Sequence, residues 1–454
     1  MPGSRLPPDA RPASARGEPC SGHGPGREWA KVIATFRQRE PEIGALLEER
    51  GGLGAILVDL TSLARIERRF GHTAYQSVRE QIDPLFSDLV SGDEVLGRDE
   101  REGDRVFIFT GSSVSGPSFS LGELRRRADH VATFLAGRVA RFTLPYQRER
   151  PAVEVGYGFV LENPLLSQER QILRLIEEAQ ISAELRQKLR DRDERERLVE
   201  IIHRRELWTG FQPIVDITNR QVLAHEGLSR GPRGSDLERP GPLFDLAARY
   251  GVLEELERAC RRQTFIDWEV FGAPGRLFVN TIPATVRDAS FLGRGVLDYL
   301  GSRISPELVT LEITEREVIE NLALYRDAMQ SFIELGFSFA IDDLGSGHSG
   351  LEAVAQLGVS YLKIDLKLVR DLHLKPANRQ VIKAILELAE ATGATPIAEG
   401  IEQLAEADVL AELGIRWGQG YYFSKVVDPY APRTQPPPEA FKPVAKIDLG
   451  PRDA

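Results

Sequence analysis

Cysteine is nearly missing from this chain of 454 residues: Cys20 and Cys260 stand far apart, and neither sits in a cluster with metal-ligand spacing. Two isolated thiols argue against a cysteine-held metal and read as free thiols in a reducing compartment. A basic excess is missing as well. Lys plus Arg number 58 against 68 for Asp plus Glu, a formal net charge of −10. That balance argues against a protein that holds a nucleic-acid polymer on a basic surface. A nucleotide-sized ligand stays open, because a bound metal can bring positive charge to an acidic site. No uninterrupted apolar run is long enough to span a bilayer. The N-terminal stretch "MPGSRLPPDARPASARGEPCSGHGPG" has no apolar core of the kind a signal peptide carries. These absences together lead us to expect a soluble, cytoplasmic protein with no membrane segment.

The apolar share of 42% is that of ordinary globular material, and the length suits two or three domains. Residues 1–28, rich in Pro, Gly, Ser and Arg, and the tail 432–454 with "TQPPPEAFKP" are expected to be disordered. A first folded region covers 30–185. There "GAILVDL", "DRVFIFTG" and "VEVGYGFVLE" predict strands, and "TAYQSVREQIDPLFSDLV" and "GELRRRADHVATFLAGRVARF" predict helices, which together indicate an α+β domain around one sheet. Residues 170–206 form a long, heavily charged helical stretch. A signalling or dimerisation helix and a solvated connector both fit its charge pattern.

The second region covers 200–430. Short apolar runs such as "GFQPIVDI", "VLAHEGLSR", "LFVNTI", "LVTLEITE" and "FSFAIDDLG" alternate with helical patterns. That alternation over roughly 230 residues is what a (β/α) barrel needs, with a doubly wound open sheet as the alternative. Polar groups recur near the ends of these strands: Glu226, Asn280, Glu312 and Glu315, Asp342 and Asp343, Lys363 and Asp365, Glu399 and Glu402, and Gln419. A single acidic strand end usually caps the next helix or faces water. A ring of them in a barrel converges on one mouth. So many carboxylates together repel one another and invite divalent cations, and oxygen donors without His or Cys suit Mg²⁺ or Mn²⁺. A carboxylate can bridge two metals roughly 3.5–4 Å apart, an arrangement used in phosphodiester hydrolysis. Asp342 is placed to bridge and Asp343 to hold the second ion. Lys363, the lone cation of the set, suits holding the attacking water or stabilising phosphate charge.

The second region resembles the EAL domain family of cyclic di-GMP phosphodiesterases. The name motif stands as Glu226-Gly227-Leu228, followed in family order by "VNTIP", "LEITE", "IDDLGSGHSGL", "LKIDLKLV", "IAEGIE" and "GQGYYFSK". The resemblance implies a modified TIM (β/α)8 barrel whose first strand runs antiparallel. It implies hydrolysis of cyclic di-GMP to linear pGpG with two Mg²⁺ or Mn²⁺ ions, in a homodimer serving bacterial signalling with an unidentified partner. It further implies Glu226, Asn280, Glu312 and Asp342 as ligands of one ion, and Asp342, Asp343 and Glu399 as ligands of the other. Lys363 would sit at the water nucleophile and Gln419 at metal-bound water. Gln212 and Arg230 would contact substrate, and Glu315 would anchor the loop after the paired aspartates. Glu402 falls in the right motif without a clear role.

Three departures from the family pattern stand out. Gly227 replaces an alanine, and the loop carries Leu344 and His348 where Phe and Tyr are usual. His348 reads as a plain loop histidine, since the ligand set is complete without it. The first region resembles a degenerate GGDEF domain. Asp59 is kept, but the signature is reduced to "EGDRVFIF", with Arg105 where a metal-binding Glu is expected. Glu67 replaces an Asn, Tyr75-Gln76 replaces Gly-Asp, and no inhibitory Arg-x-x-Asp precedes the signature. The resemblance therefore implies no cyclase activity, and a regulatory role in its place. The alternative for the whole chain is a cyclic di-GMP receptor that binds without hydrolysing.

Overall fold

The computed structural model describes residues 33–111, 120–146, 152–282, 296, 300, 304–345 and 357–431. The terminal segments 1–28 and 432–454, with Cys20, and the loop residue His348 lie outside the described residues. The chain divides into two compact units, Met1–Arg192 and Asp193–Ala454.

In the first unit, strands β1 (Gly52–Asp59), β2 (Val95–Arg98), β3 (Arg105–Thr110) and β4 (Glu154–Leu161) form one sheet in the order β2-β3-β1-β4, with every pairing antiparallel. Strand β2 has no counterpart in the sequence-based expectation, because four residues are too few to display an alternation. The central strand β1 is buried along nearly its whole length. Successive side chains point to opposite faces of a strand, and β1 serves two cores that way. Ile56 and Val58 pack with α3 (His72–Leu89) and α4 (Leu121–Thr143), whereas Ala55 and Leu57 pack with α1 (Glu40–Arg50) and the start of α5 (Gln168–Arg204). The α2 helix (Ala64–Phe70) joins the first of these cores through Ile66.

The setting of α5 against β4 is fixed by small residues. A Cβ placed on Gly156 would lie 2.1 Å from the carbonyl oxygen of Ala179 and 2.8 Å from the Cβ of Ala183. Helix and strand backbones thus touch where any side chain would wedge them apart, and Ala179 and Ala183 are turned inward. Gly156→Ala is expected to lower stability by about 1–3 kcal/mol through overpacking, read as an earlier denaturant midpoint.

In the second unit, β5 (Trp208–Asp216), β6 (Val222–Arg230), β7 (Arg276–Asn280), β8 (Val309–Thr314), β9 (Ser338–Leu344), β10 (Tyr361–Ile364), β11 (Thr395–Ala398) and β12 (Trp417–Gly418) close into a barrel. The barrel rules out the open-sheet alternative. β5 runs antiparallel to both its neighbours, β6 and β12, and all other pairings are parallel. Helices α6 (Pro240–Arg249), α7 (Leu253–Phe271), α8 (Glu315–Glu334), α9 (Leu366–Val369), α10 (Pro376–Thr392) and α11 (Leu404–Glu412) follow in chain order. The larger core, which includes Trp268, Leu311, Ile341, Leu362 and Ile385, joins strands to helices. A smaller one joins Ile214, Ala224, Phe278, Ala340, Tyr361 and Ile397 across the strands. Among the described residues no helix is long and apolar enough to cross a membrane.

Candidate active site

The small apolar cluster predicts where the polar residues must go. Two positions beyond Ala224, Phe278, Ala340, Tyr361 and Ile397 stand Glu226, Asn280, Asp342, Lys363 and Glu399. A strand period of two keeps each pair on one face, so the sequence builds an apolar layer and directly above it a polar one. Glu312 joins from β8 and Gln419 from the residue just past β12. The parallel strands deliver these groups at their C-terminal ends, the face of a barrel at which reactive groups gather.

The centre of this layer is Lys363, fully buried. Its Nζ lies 2.7 Å from Glu312 Oε1, 2.7 Å from Glu399 Oε1, 3.1 Å from Asp342 Oδ1 and 3.5 Å from Glu226 Oε2. Burial alone would depress the ammonium's pKa. The carboxylates of Asp342, Glu226, Glu312 and Glu399 outweigh it and hold the pKa well above the usual value. One ammonium still leaves three negative charges of the four uncompensated. Burial, with Glu226 and Asp342 nearby, pushes Glu312 well above the ordinary carboxylate range in spite of Lys363. Burial and Asp342 do the same to Glu399. Although Nζ is within ion-pairing distance, neither oxygen of Glu312 nor Oδ1 of Asp342 receives an aligned hydrogen bond. Buried anionic oxygens without donors are costly unless a cation faces them.

Two amides stitch the ring together. Asn280 Nδ2 donates to Glu226 Oε1 at 3.1 Å. Gln419 Nε2 donates to Glu226 Oε2 at 2.6 Å and to Glu399 Oε1 at 3.0 Å, bridging two carboxylates.

Asp342 and Asp343 are neighbours in a strand and should point to opposite faces. A β-bulge prevents this. Ile341 pairs with Leu362 and Leu344 with Ile364, so both aspartates lie opposite Lys363 alone. Asp343 takes a left-handed φ of 57°, a conformation aspartate tolerates better than most residues. As a result Asp342, Asp343 and Glu399 each offer an oxygen within 4.8 Å of the others, a group that could hold a cation. Burial and the charges of Asp342 and Asp365 raise the pKa of Asp343. The sequence motif carries no sign of the bulge beyond the doubled aspartate itself.

Other expected residues sit around this centre. Glu315 is buried and its Oε2 accepts from the backbone N–H of Gly345 at 3.1 Å, at the start of the loop after the aspartates. Gln212 is the cross-strand partner of Glu226, and its Nε2 donates to the Ser424 carbonyl at 3.3 Å. Ser424, absent from the expected site, thereby orients an expected one. Arg230 ends β6 half-buried and donates to the Ser229 carbonyl at 2.9 Å, its pKa lowered by burial. Two residues near the motifs stand apart from the ring. Asp365 accepts from Lys367 N–H at 2.7 Å as the cap of α9, and Glu402 pairs with Arg370 at 2.8 Å on the surface. Gly227 makes room for α7: a Cβ there would lie 2.8 Å from Thr264 Cγ2. Leu344 is buried in the barrel's larger core.

In the metal-free protein, Lys363→Met is expected to cost about 3–5 kcal/mol, since it strands the four carboxylates without their counter-charge. Denaturant titration in a chelating buffer measures it. The raised carboxylates fix the pH trend as well. The folded state keeps protons on Glu312 and Glu399 that the unfolded chain has released. Metal-free stability is therefore expected to fall as pH rises from the ordinary carboxylate range through neutral, and a series of melting curves in chelator reads the slope.

Comparison with known proteins adds the following. Residues 195–426 match the EAL domain family. The signaling protein YkoW of Bacillus subtilis is 28% identical over 227 residues, covering 48% of this chain and 28% of that protein. The probable cyclic di-GMP phosphodiesterase PdeB of Escherichia coli is 29% identical over 237 residues, covering 51% of this chain and 45% of that protein. The cyclic di-GMP phosphodiesterase PdeR of Escherichia coli is 32% identical over 160 residues, covering 35% and 24%. The chain thus spans less than half the length of each of these three relatives. Among solved structures, a standalone EAL protein from Vibrio cholerae in its cyclic di-GMP-bound form is 27% identical, covering 50% of this chain and 94% of that one, with a TM-score of 0.44.

Proposed function

The chain belongs to the EAL domain family, and on that premise we propose that it is a metal-dependent phosphodiesterase that hydrolyses cyclic di-GMP to linear pGpG. The observation that carries this is the charge imbalance at the barrel mouth. Five carboxylates, Glu226, Glu312, Asp342, Asp343 and Glu399, face one ammonium, Lys363. If all are ionised the set carries a charge of −4, which two divalent cations would balance. Oxygen donors in this number suit Mg²⁺ or Mn²⁺. Glu226, Asn280, Glu312 and Asp342 would hold one ion, and Asp342, Asp343 and Glu399 the other. Bound there, the ions supply Lewis acidity and a water acidic enough to attack at neutral pH.

The chain's own groups have separate tasks. Lys363, kept protonated by its neighbours, donates hydrogen bonds to the attacking water and stabilises charge on the phosphate. Gln419 spans Glu226 and Glu399 and keeps them from splaying. Arg230 offers a planar fork to a phosphate, and Gln212 a further polar contact. Glu315 tethers the loop that follows the paired aspartates.

The first unit is read as a GGDEF-like domain without cyclase activity. Arg105 Nε donates to Asp59 Oδ2 at 2.7 Å, and Arg105 Nη1 lies 2.8 Å from Glu102 Oε2. A guanidinium thus neutralises the aspartate that a catalytic metal would need. We read the protein as a cytoplasmic homodimer with an unidentified signalling partner.

Incubation with cyclic di-GMP and Mg²⁺ or Mn²⁺, with chromatography of the products, tests the reading. pGpG is expected from the wild type. Asp342→Asn and Glu226→Gln are each expected to reduce turnover by more than roughly a hundredfold. Full activity in Asp342→Asn would sink the mechanism, and tight binding without turnover under any divalent ion would make the chain a receptor. Because metal must displace protons from the raised carboxylates, the thermal stabilisation by Mg²⁺ or Mn²⁺ is expected to grow as pH rises from the ordinary carboxylate range through neutral. A stabilisation that is flat or declining across this range would count against metal seating on these groups.

A further inference from the structure

Building on the phosphodiesterase reading, we propose that Arg233 and Asp428 are positioning residues for the substrate. Their ion pair, clasped over Trp208, holds in place the main-chain carbonyl that orients Gln212 and the loop that begins at Arg230.

Strand β12 is too short to cover the whole edge of β5, and pairs with it only at Val215 and Asp216. Nearer the start of β5 the same edge is taken by the segment 424–430. There Phe211 and Val427 exchange both main-chain hydrogen bonds, at 2.8 and 2.7 Å. The contact is close, since a Cβ on Gly210 would lie 2.4 Å from Val426 Cγ1. Gln212 directly follows this bridge, and the Ser424 carbonyl that accepts from its amide belongs to the same segment. The placement of the segment therefore decides where that amide points.

Two contacts pin the far end of the segment. Arg233 presents Nη1 and Nη2 to the two oxygens of Asp428, with Nη2 to Oδ1 at 2.8 Å. Its Cζ lies 4.1 Å from the centroid of the Trp208 ring and 5.8 Å from that of Tyr430. A bidentate guanidinium–carboxylate pair backed by an aromatic face has one defined geometry, unlike an ordinary surface ion pair. The Tyr430 hydroxyl donates to Asp267 of α7, which is fully buried and also accepts from the Thr209 N–H at 2.6 Å. The clasp thus reaches across β5, from the segment on one edge to the loop after β6 on the other. Trp208, beneath it, is the register partner of Arg230.

That loop is closed on itself. The Gly231 N–H donates to the Glu238 carbonyl at 3.0 Å, and the Gly234 N–H to the Glu238 carboxylate at 2.9 Å. A Cβ on Gly231 would lie 2.1 Å from the Leu237 carbonyl oxygen. So tight a loop moves as a unit, and Arg230 stands at its root. Among the described residues neither Arg233 nor Asp428 bonds to the charged ring. The clasp therefore acts on the side chains that meet the substrate and leaves the metal seat alone.

Steady-state hydrolysis of cyclic di-GMP by the full chain tests this, with calorimetric binding in parallel and circular dichroism to establish folding. Asp428→Asn and Arg233→Ala are each expected to raise KM roughly three- to tenfold and to leave kcat within about twofold. Because the two residues act as one clasp, the double variant is expected to lose no more than either single one. The melting shift on adding Mg²⁺ is expected to match the wild type in all three. An unchanged KM, a loss confined to kcat, additive losses in the double variant or a vanished Mg²⁺ shift each overturn the assignment and leave the phosphodiesterase reading standing. A wild type that binds cyclic di-GMP without turnover overturns that reading instead, and the same variants then decide the clasp by their dissociation constants. A wild type that neither binds nor hydrolyses it overturns both.

Discussion

One buried ammonium surrounded by more negative charge than it can balance is the constraint on which the barrel's mouth depends. Lys363 reaches four carboxylates within 3.5 Å. Three of those carboxylates come from different strands and Glu399 follows β11 directly, so the ammonium ties β6, β8, β9 and the end of β11 to β10. Removing charge from such a ring would make a more comfortable protein, because buried ions are rarely retained for stability alone. The apolar layer beneath the ring supplies what the ring does not. Phe278 and Tyr361 pack there in an edge-to-face pair with ring centroids 5.0 Å apart, and Tyr361 also meets Trp417. A rigid floor with an over-charged ceiling is a site arranged to take up cations.

Much of this was legible because barrel strands are short and their ends carry the chemistry. Period-two logic is enough to place Glu226, Asn280, Glu312, Asp342, Lys363, Glu399 and Gln419 near one end. Closure of the sheet then turns a list of strand ends into a ring. What the sequence did not disclose are features of backbone geometry. The bulge opposite Lys363 depends on the pairing of β9 with β10, two segments whose register no local pattern states. Gln419 looked like a single polar strand end, but its bridge between Glu226 and Glu399 arises only when the last strand closes next to the first. Ser424 contributes through a main-chain carbonyl, which no residue type announces. Glu402 and Asp365 show the converse: they share motifs with true members of the ring, yet one lies on the surface and the other caps a helix.

Gly227 shows the same limit at the scale of one atom. Read along the chain, a glycine beside Glu226 suggests a looser strand. Read in three dimensions, it is the space that Thr264 of α7 occupies. The close contact brings α7 against β6 directly behind Glu226. A residue that suggests a loss of rigidity belongs to a close-packed pair in which the helix supplies the larger partner.

The two units treat carboxylates in opposite ways, and the contrast bears on which of them can do metal chemistry. In the first, Asp59 meets Arg105 in cross-strand register, where a neighbouring guanidinium satisfies it within hydrogen-bond distance. Asp104 is held by the hydroxyl of Tyr75, with Arg79 nearby. Each of these two acids has its own partner, so little of their charge is left over for a cation to balance. In the second, five acids share a single lysine. A divalent ion gains most where its arrival relieves repulsion already stored in the fold, and least where it must first displace an arginine that fits. The same residue type, at the end of a strand in both units, thus answers to different chemistry, and the difference is set by which cation the next strand supplies.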